Sequence, residues 1–232
     1  LEGGPGTKPV AVPPPPVPWS GTLVTDNPSF AHKVSFMART PGKQMLFGRT
    51  LKSGTIRDAL KLLQGTAPER SRFKAAIDLQ CGTGFCAAHL TRMYDIPHVV
   101  GINTSINSIE LAAAQNVFST LLEGGLEAID RAGGMFDLMI SLNQFNSIGP
   151  LENWFAKVVP RLADRGLILY AMEINSSADV SRLSGGYFSH STAYIERLCA
   201  SHGLRVLCGR DSATRIDFGQ LVPGHIGILA RA

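Results

Sequence analysis

Apolar residues along the chain fall into short runs bounded by glycine, proline and asparagine, and these runs alternate with stretches of helical period. The run Ala75-Ala76-Ile77 closes on Asp78 and breaks into a glycine turn, which predicts a buried parallel strand feeding a helix over 85–94. Ahead of it, Ile56, Leu60 and Leu63 share one helical face behind a capping signal at Thr55, predicting a lead-in helix. Residues 98–102 predict a second strand, 107–117 a helix, and 118–122 a third strand; 136–142, after the Gly133-Gly134 turn, predicts a fourth. A helix over 151–163 presents Trp154, Phe155, Val158, Val159 and Leu162 on one side, with Pro160 bending it, and 166–174 forms a fifth strand. Strands alternating with helices predict an α/β fold with a doubly wound, mostly parallel sheet. The end differs: a helix over 191–202 with Ser191 as its N-cap, a strand over 204–208, a polar loop, and a strand over 225–230. Two closing strands without a helix between them form a hairpin, so one of the seven strands runs antiparallel to the rest.

Composition bounds what surrounds this sheet. With 232 residues, 44% hydrophobic and 17% charged, the chain buries one sizeable core, and the domain is expected over 51–232. Residues 1–28 form a proline-rich extended arm, with Pro13 to Pro16 in succession, and 29–50 a lead-in segment of weak pattern. Such an arm builds no core, so it is expected to lie on neighbouring protein subunits. The net charge of +4 comes from scattered Lys and Arg, which reads as a solvated surface before a nucleic-acid patch, while an RNA-containing assembly would tolerate it. Cys81, Cys86, Cys199 and Cys208 show no C-x-x-C pair and no histidine at zinc spacing, so no metal site is expected. No apolar run reaches the length of a membrane span. The start at Leu1, the basicity and the arm make an organellar assembly in the mitochondrial matrix the expected setting, with the cytoplasm as the alternative.

The chemistry centres on residues 75–86. Gly82 and Gly84 let the backbone turn tightly and approach a ligand, and the helix that follows aims its free N–H groups at an electron-rich group. The pattern Gly82-Thr83-Gly84-Phe85-Cys86-Ala87 also fits the relaxed G-x-G-x-x-A of dinucleotide sites. The terminal hairpin separates the two, since a dinucleotide-binding domain has no reason to finish that way.

Asp78-Leu79-Gln80-Cys81-Gly82-Thr83-Gly84 resembles the first motif, D-L-G-C-G-T-G, of the class I S-adenosylmethionine-dependent methyltransferases. The stretch from Gly185 to Tyr194, with Gly203-Leu204-Arg205-Val206-Leu207 and the later Gly224-His225-Ile226-Gly227-Ile228-Leu229, is similar to the bacterial methyltransferases found with tetratricopeptide repeats. The resemblance implies a seven-stranded, Rossmann-like sheet with S-adenosylmethionine at the carboxyl ends of its strands. Asp78 and the backbone of Gly82 and Gly84 would face the methionine part, with Gln80, Cys81 and Thr83 of the same loop also at the cofactor. Acids after the second, third and fourth strands would take the ribose hydroxyls, the adenine amine and the neighbourhood of the substrate. Those three positions hold Asn103, Gly125 and Asn143, each without a carboxylate, and Glu123 stands near enough to substitute for Gly125.

Outside the cradle, His190 lies in the most family-like stretch and is either a general base or a residue that shapes the loop before Ser191. Cys81 reads as a small packing residue before a nucleophile. Two functional readings follow. In one the domain is a pseudoenzyme, a methyltransferase-like structural or accessory subunit with a degraded cofactor site and no catalytic residues; in the other it is an active methyltransferase with an uncharged cofactor site.

Overall fold

A computed structural model of the chain describes residues 19–25, 52–142, 144–176, 179–217 and 220–232. In chain order the described elements are β1 (Thr22–Val24), α1 (Lys52–Thr66), β2 (Ala75–Asp78), α2 (Phe85–Met93), β3 (His98–Asn103), α3 (Ile106–Ala113), β4 (Thr120–Glu123), α4 (Ile129–Ala132), β5 (Phe136–Ser141), α5 (Glu152–Val158), β6 (Leu162–Glu173), β7 (Val180–Arg182), β8 (Phe188–His190), α6 (Thr192–Ser201), β9 (Leu204–Asp217) and β10 (Gln220–Arg231). One sheet runs in the order β1-β4-β3-β2-β5-β6-β10-β9, and β7 and β8 make a separate two-stranded ribbon. β10 is antiparallel to both its neighbours and every other pairing in the main sheet is parallel, so the expected hairpin is present.

The two-residue alternation of a strand decides which helices each side chain meets. Ala76, Leu138, Ile140, Leu167, Leu169 and Ala171 pack with α1 and α2 residues such as Leu60, Leu63 and Leu90. Their neighbours Ile77, Met139, Ile168, Tyr170 and Met172 pack on the opposite face with Trp154 and Phe155 of α5 and Ile195 of α6. A strand buried on both faces needs a near-continuous apolar sequence, which is what made β2, β5 and the end of β6 legible.

The sheet has eight strands rather than seven. The additional strand lies within the proline-rich arm: Thr22, Leu23 and Val24 pair in parallel with Thr120, Leu121 and Leu122 of the domain's own β4. Trp19 anchors it, its Nε1 donating to the Phe118 carbonyl at 2.7 Å, and Thr22 N donates to the Ser119 carbonyl at 2.7 Å. An edge strand leaves a row of unpaired backbone groups, and the arm satisfies those of β4. The lead-in segment 29–50 and the rest of the arm lie outside the described residues.

Other boundaries move for local reasons. α1 begins at Lys52, so Thr55 is not its cap; its hydroxyl donates instead to the Ala213 carbonyl at 3.2 Å. α3 stops at Ala113, short of 117, and Asn116 takes the left-handed φ of 55° that ends the turn. The third strand starts at Thr120 rather than 118, freeing Phe118 to pack between α3 and the cradle. α5 ends at Val158, with a short 3-10 turn through Pro160, and β6 already begins at Leu162. Asp164 and Arg165 near its start are charged and exposed, which hides the strand's beginning from a pattern of apolar runs. The polar loop expected after residue 208 is instead strand: β9 and β10 stay paired from Leu204 with Arg231 out to Asp217 with Gln220. β6 leaves β10 at Gly224, so the far half of that hairpin runs on past β6 and has no second strand beside it among the described residues.

Candidate cofactor site

β2 delivers Asp78 to the point where the strand order reverses, with β3 on one side and β5 on the other. In doubly wound sheets such a point opens a crevice at the carboxyl ends of the strands. The loop that follows is tied on three sides. Leu79 N donates to Ile140 O, Cys81 N to Ile102 O and Gly84 N to Cys81 O, each at 2.9 Å. Gly82 and Gly84 have φ of 54° and 79°, and Gly84 is the N-cap of α2.

The two glycines serve different purposes. A methyl group added at Gly82 would meet nothing within 4 Å, so that face of the loop is open. One added at Gly84 would stand 2.8 Å from the Phe118 ring, 3.0 Å from Gln115 and 3.1 Å from Ala112 Cα. Gly84 is therefore required by packing as well as by its φ, and Gly82 by its left-handed φ alone. We expect Gly84→Ala to cost about 2–3 kcal/mol of stability, from left-handed strain plus overpacking, and Gly82→Ala about 1 kcal/mol. Chemical denaturation reads both; equal losses would contradict this division.

Asp78 is buried, and burial pushes its carboxyl up to about 7, against a single weak bond from Gln80 N at 3.3 Å. Gln80 stands where the first motif has glycine, and its Oε1 is buried with no hydrogen-bond partner among the described residues. Cys81 is buried and its thiol is pushed well up, first by burial and then by Asp78, the reverse of an activated nucleophile. Thr83 is exposed at the turn.

The three substituted positions fare differently. Asn103 is buried at the end of β3, and its Oδ1 accepts from Ser105 N at 2.8 Å, inside the turn that lets Ser105 cap α3. That bond uses one of the two lone pairs of its amide oxygen within its own loop. Gly125 has no side chain, and the Glu127 carboxylate folds back into the vacated space: Oε1 accepts from Gly125 N at 2.7 Å. A methyl group added at Gly125 would lie 2.8 Å from Glu127 Oε2. Bonds from its own backbone N–H and that of Gly125 hold the Glu127 carboxyl below its ordinary range. Glu123, the alternative acid, accepts instead from the Thr25 hydroxyl of the arm. Asn143 lies outside the described residues.

Beyond β5, Gln144 and Trp154 support the loop in a way the sequence did not signal. Trp154 Nε1 donates to Gln144 Oε1 at 2.6 Å, and Gln144 Nε2 donates to the Leu79 carbonyl at 3.3 Å, so one buried amide bridges the β5 and β2 loops. Asn146 clamps the end of β6 similarly, accepting from Glu173 N at 2.9 Å. His190 is fully buried, its Nε2 donating to the Gly149 carbonyl at 2.8 Å. Burial holds it below its ordinary pKa and therefore neutral, and its ring stacks with Tyr194. The His190 Nδ1 is buried with no hydrogen-bond partner among the described residues; Ser191 next to it caps α6 by accepting from Tyr194 N at 3.2 Å.

With this geometry in hand, residues 76–166 match the family model of a methyltransferase domain. The fold is that of class I methyltransferases. An N-methyltransferase, NodS from Bradyrhizobium japonicum WM9, solved in complex with S-adenosyl-L-homocysteine, superposes with a TM-score of 0.60 at 10% identity over 87% of this chain and 98% of that one. The 1,6-didemethyltoxoflavin-N1-methyltransferase of Burkholderia thailandensis, solved with bound 1,6-didemethyltoxoflavin and S-adenosylhomocysteine, gives 0.60 at 10% identity over 77% of this chain and 78% of that one. An S-adenosylmethionine-dependent methyltransferase from Clostridium acetobutylicum ATCC 824 gives 0.56 at 14% identity over 88% and 98%. No curated protein matches the sequence. The methyltransferase fold therefore rests on the sheet order and on these likenesses together.

Proposed function

We propose that this methyltransferase-fold domain binds S-adenosylmethionine through the β2 cradle and uncharged contacts, and acts as a methyltransferase. The observation that carries this reading is the open crevice beside Gly82, bordered by the buried Asp78 and the unpartnered Gln80 Oε1. An ammonium group there would satisfy the Gln80 oxygen and draw Asp78 to its charged form. The bound cofactor would supply an electrophilic methyl group. The chain would contribute its position: the backbone around Gly82 against the methionine part, the Asn103 amide towards the ribose, and Glu127 beside the place where position 125 lacks an acid.

A second reading is favoured by a specific observation at Asn103 and Gly125. Losing two charge-assisted hydrogen bonds, each on the order of 1.5–3 kcal/mol, weakens affinity by about a hundredfold or more. A domain so weakened would serve as a structural or accessory subunit, with protein or RNA neighbours in an assembly such as a mitochondrial one. Calorimetric titration of the purified chain with S-adenosylmethionine and S-adenosylhomocysteine separates the two. Binding in the micromolar range is expected and would sink the structural-only reading; no heat at millimolar ligand would overturn the first.

A further inference from the structure

Between α1 and α2 the described residues enclose a groove of about 360 Å³. α2 contributes Phe85, His89 and Met93, spaced four residues apart, so they form a stripe about 12 Å long on one face of that helix. Phe85 and Met93 are 43% and 40% exposed, which is a poor use of large apolar side chains unless something covers them. The His89 ring is 4.3 Å from that of Phe85, and its Nδ1 donates to the Phe85 carbonyl at 2.9 Å, which fixes the stripe in place. From α1 come the buried Ile56 and Leu60 and, at the next positions along the helix, Arg57 and Lys61.

Charge and size together indicate the occupant. Arg57 and Lys61 are exposed, one helical turn apart, and form no ion pair among the described residues. Among the described residues no acidic side chain lines the groove, and the acid between them in sequence, Asp58, is taken by Arg210 at 2.9 Å. A groove with apolar walls and two cations without acidic partners is complementary to an anion attached to an apolar body. Its volume lies at the lower end of the roughly 300–1,000 Å³ typical of small-molecule sites. A stable protein interface covers about 800 Å² on each partner, far more than this short stretch of two helices presents. We propose that the groove is a binding site for a small apolar-bodied carboxylate, with its head on Arg57 and Lys61 and its body along Phe85, Met93, Ile56 and Leu60. It is separate from the cofactor reading and stands whether or not that reading holds.

Decanoate and decyltrimethylammonium, kept below their micelle-forming concentrations, test it as a pair, because they share a tail and differ in charge. Calorimetric titration of the full chain should show saturable binding of decanoate and none of the cation. The double variant Arg57→Gln, Lys61→Gln should lose at least about tenfold in affinity with its thermal midpoint unchanged, since both side chains are exposed. Met93→Glu should weaken decanoate binding by placing a like charge on the apolar wall. Absence of saturable decanoate binding, equal binding of the cation, or an undiminished affinity in the double variant would each overturn the proposal. S-adenosylhomocysteine titrated into the same double variant keeps the two sites distinct: its binding should match that of the wild type.

Discussion

Between about pH 4 and pH 7 Asp78 alone lowers the unfolding free energy of the wild type by about 4 kcal/mol, and Asp78→Asn removes that fall. The carboxyl titrates near 3.8 in an unfolded chain and near 7 in the fold, because burial penalises its charged form. Over that window the native state holds a proton that the unfolded state has released, so stability declines as pH rises. Below about 3.8 the contribution is fully present; above about 7 it is gone. Glu127 and Asp130, whose carboxyls are held below their ordinary values, act in the opposite sense, so the quantity to measure is wild type minus variant by denaturant titration at several pH values. A difference that stays flat with pH would show that Asp78 is ionised throughout. The same proton reports on function. A cationic ligand beside Asp78 favours its carboxylate, so affinity for S-adenosylmethionine should rise with pH through about 7 in the wild type and not in Asp78→Asn.

Trp154→Ala should cost about 3–5 kcal/mol, the range for emptying a buried aromatic site. Trp154 is fully buried, with the Phe145 ring edge-on at 4.7 Å and that of Phe155 at 5.2 Å. The loss extends beyond the cavity. Without the indole N–H, Gln144 Oε1 is left unpaired in the core, and Gln144 is the group that holds the Leu79 carbonyl of the cradle loop. Trp154→Phe keeps most of the volume and isolates that second effect at about 1–3 kcal/mol. Equilibrium unfolding of the two variants checks both numbers. A Trp154→Ala variant less than about 1 kcal/mol below wild type would mean that the core between α5 and β5 collapses around the gap.

Where the chain departs from its sequence-based reading, the departures share a cause. β1 pairs through backbone groups with an edge, and its side chains carry no alternation that a proline-rich context would reveal. The outer half of the β9–β10 hairpin is strand without a second sheet neighbour, so it never needed an apolar face and read as a loop. Gln144, Glu127 and Phe118 act across distances in sequence of 65, 2 and 34 residues respectively: to Leu79, to Gly125, and, by the difference of positions 118 and 84, to Gly84. Only the short one of these could have been guessed from spacing.

The sequence by itself determined the chain order of the central strands β2 to β6, the antiparallel end and the place of the cradle, because burial on both faces of a parallel sheet forces continuous apolar runs and a strand-to-helix turn forces glycine. It also determined that no carboxylate side chain stands at positions 103 and 125. The tertiary structure decided what those positions do. Asn103 gives its oxygen to Ser105, Glu127 fills the space beside Gly125, Glu123 is taken by the arm, and Gly82 is left open while Gly84 is packed shut. Each of these depends on which groups converge at the carboxyl edge of the sheet, and convergence is a property of the folded chain, where residues distant in sequence compete for the same hydrogen bonds and the same space.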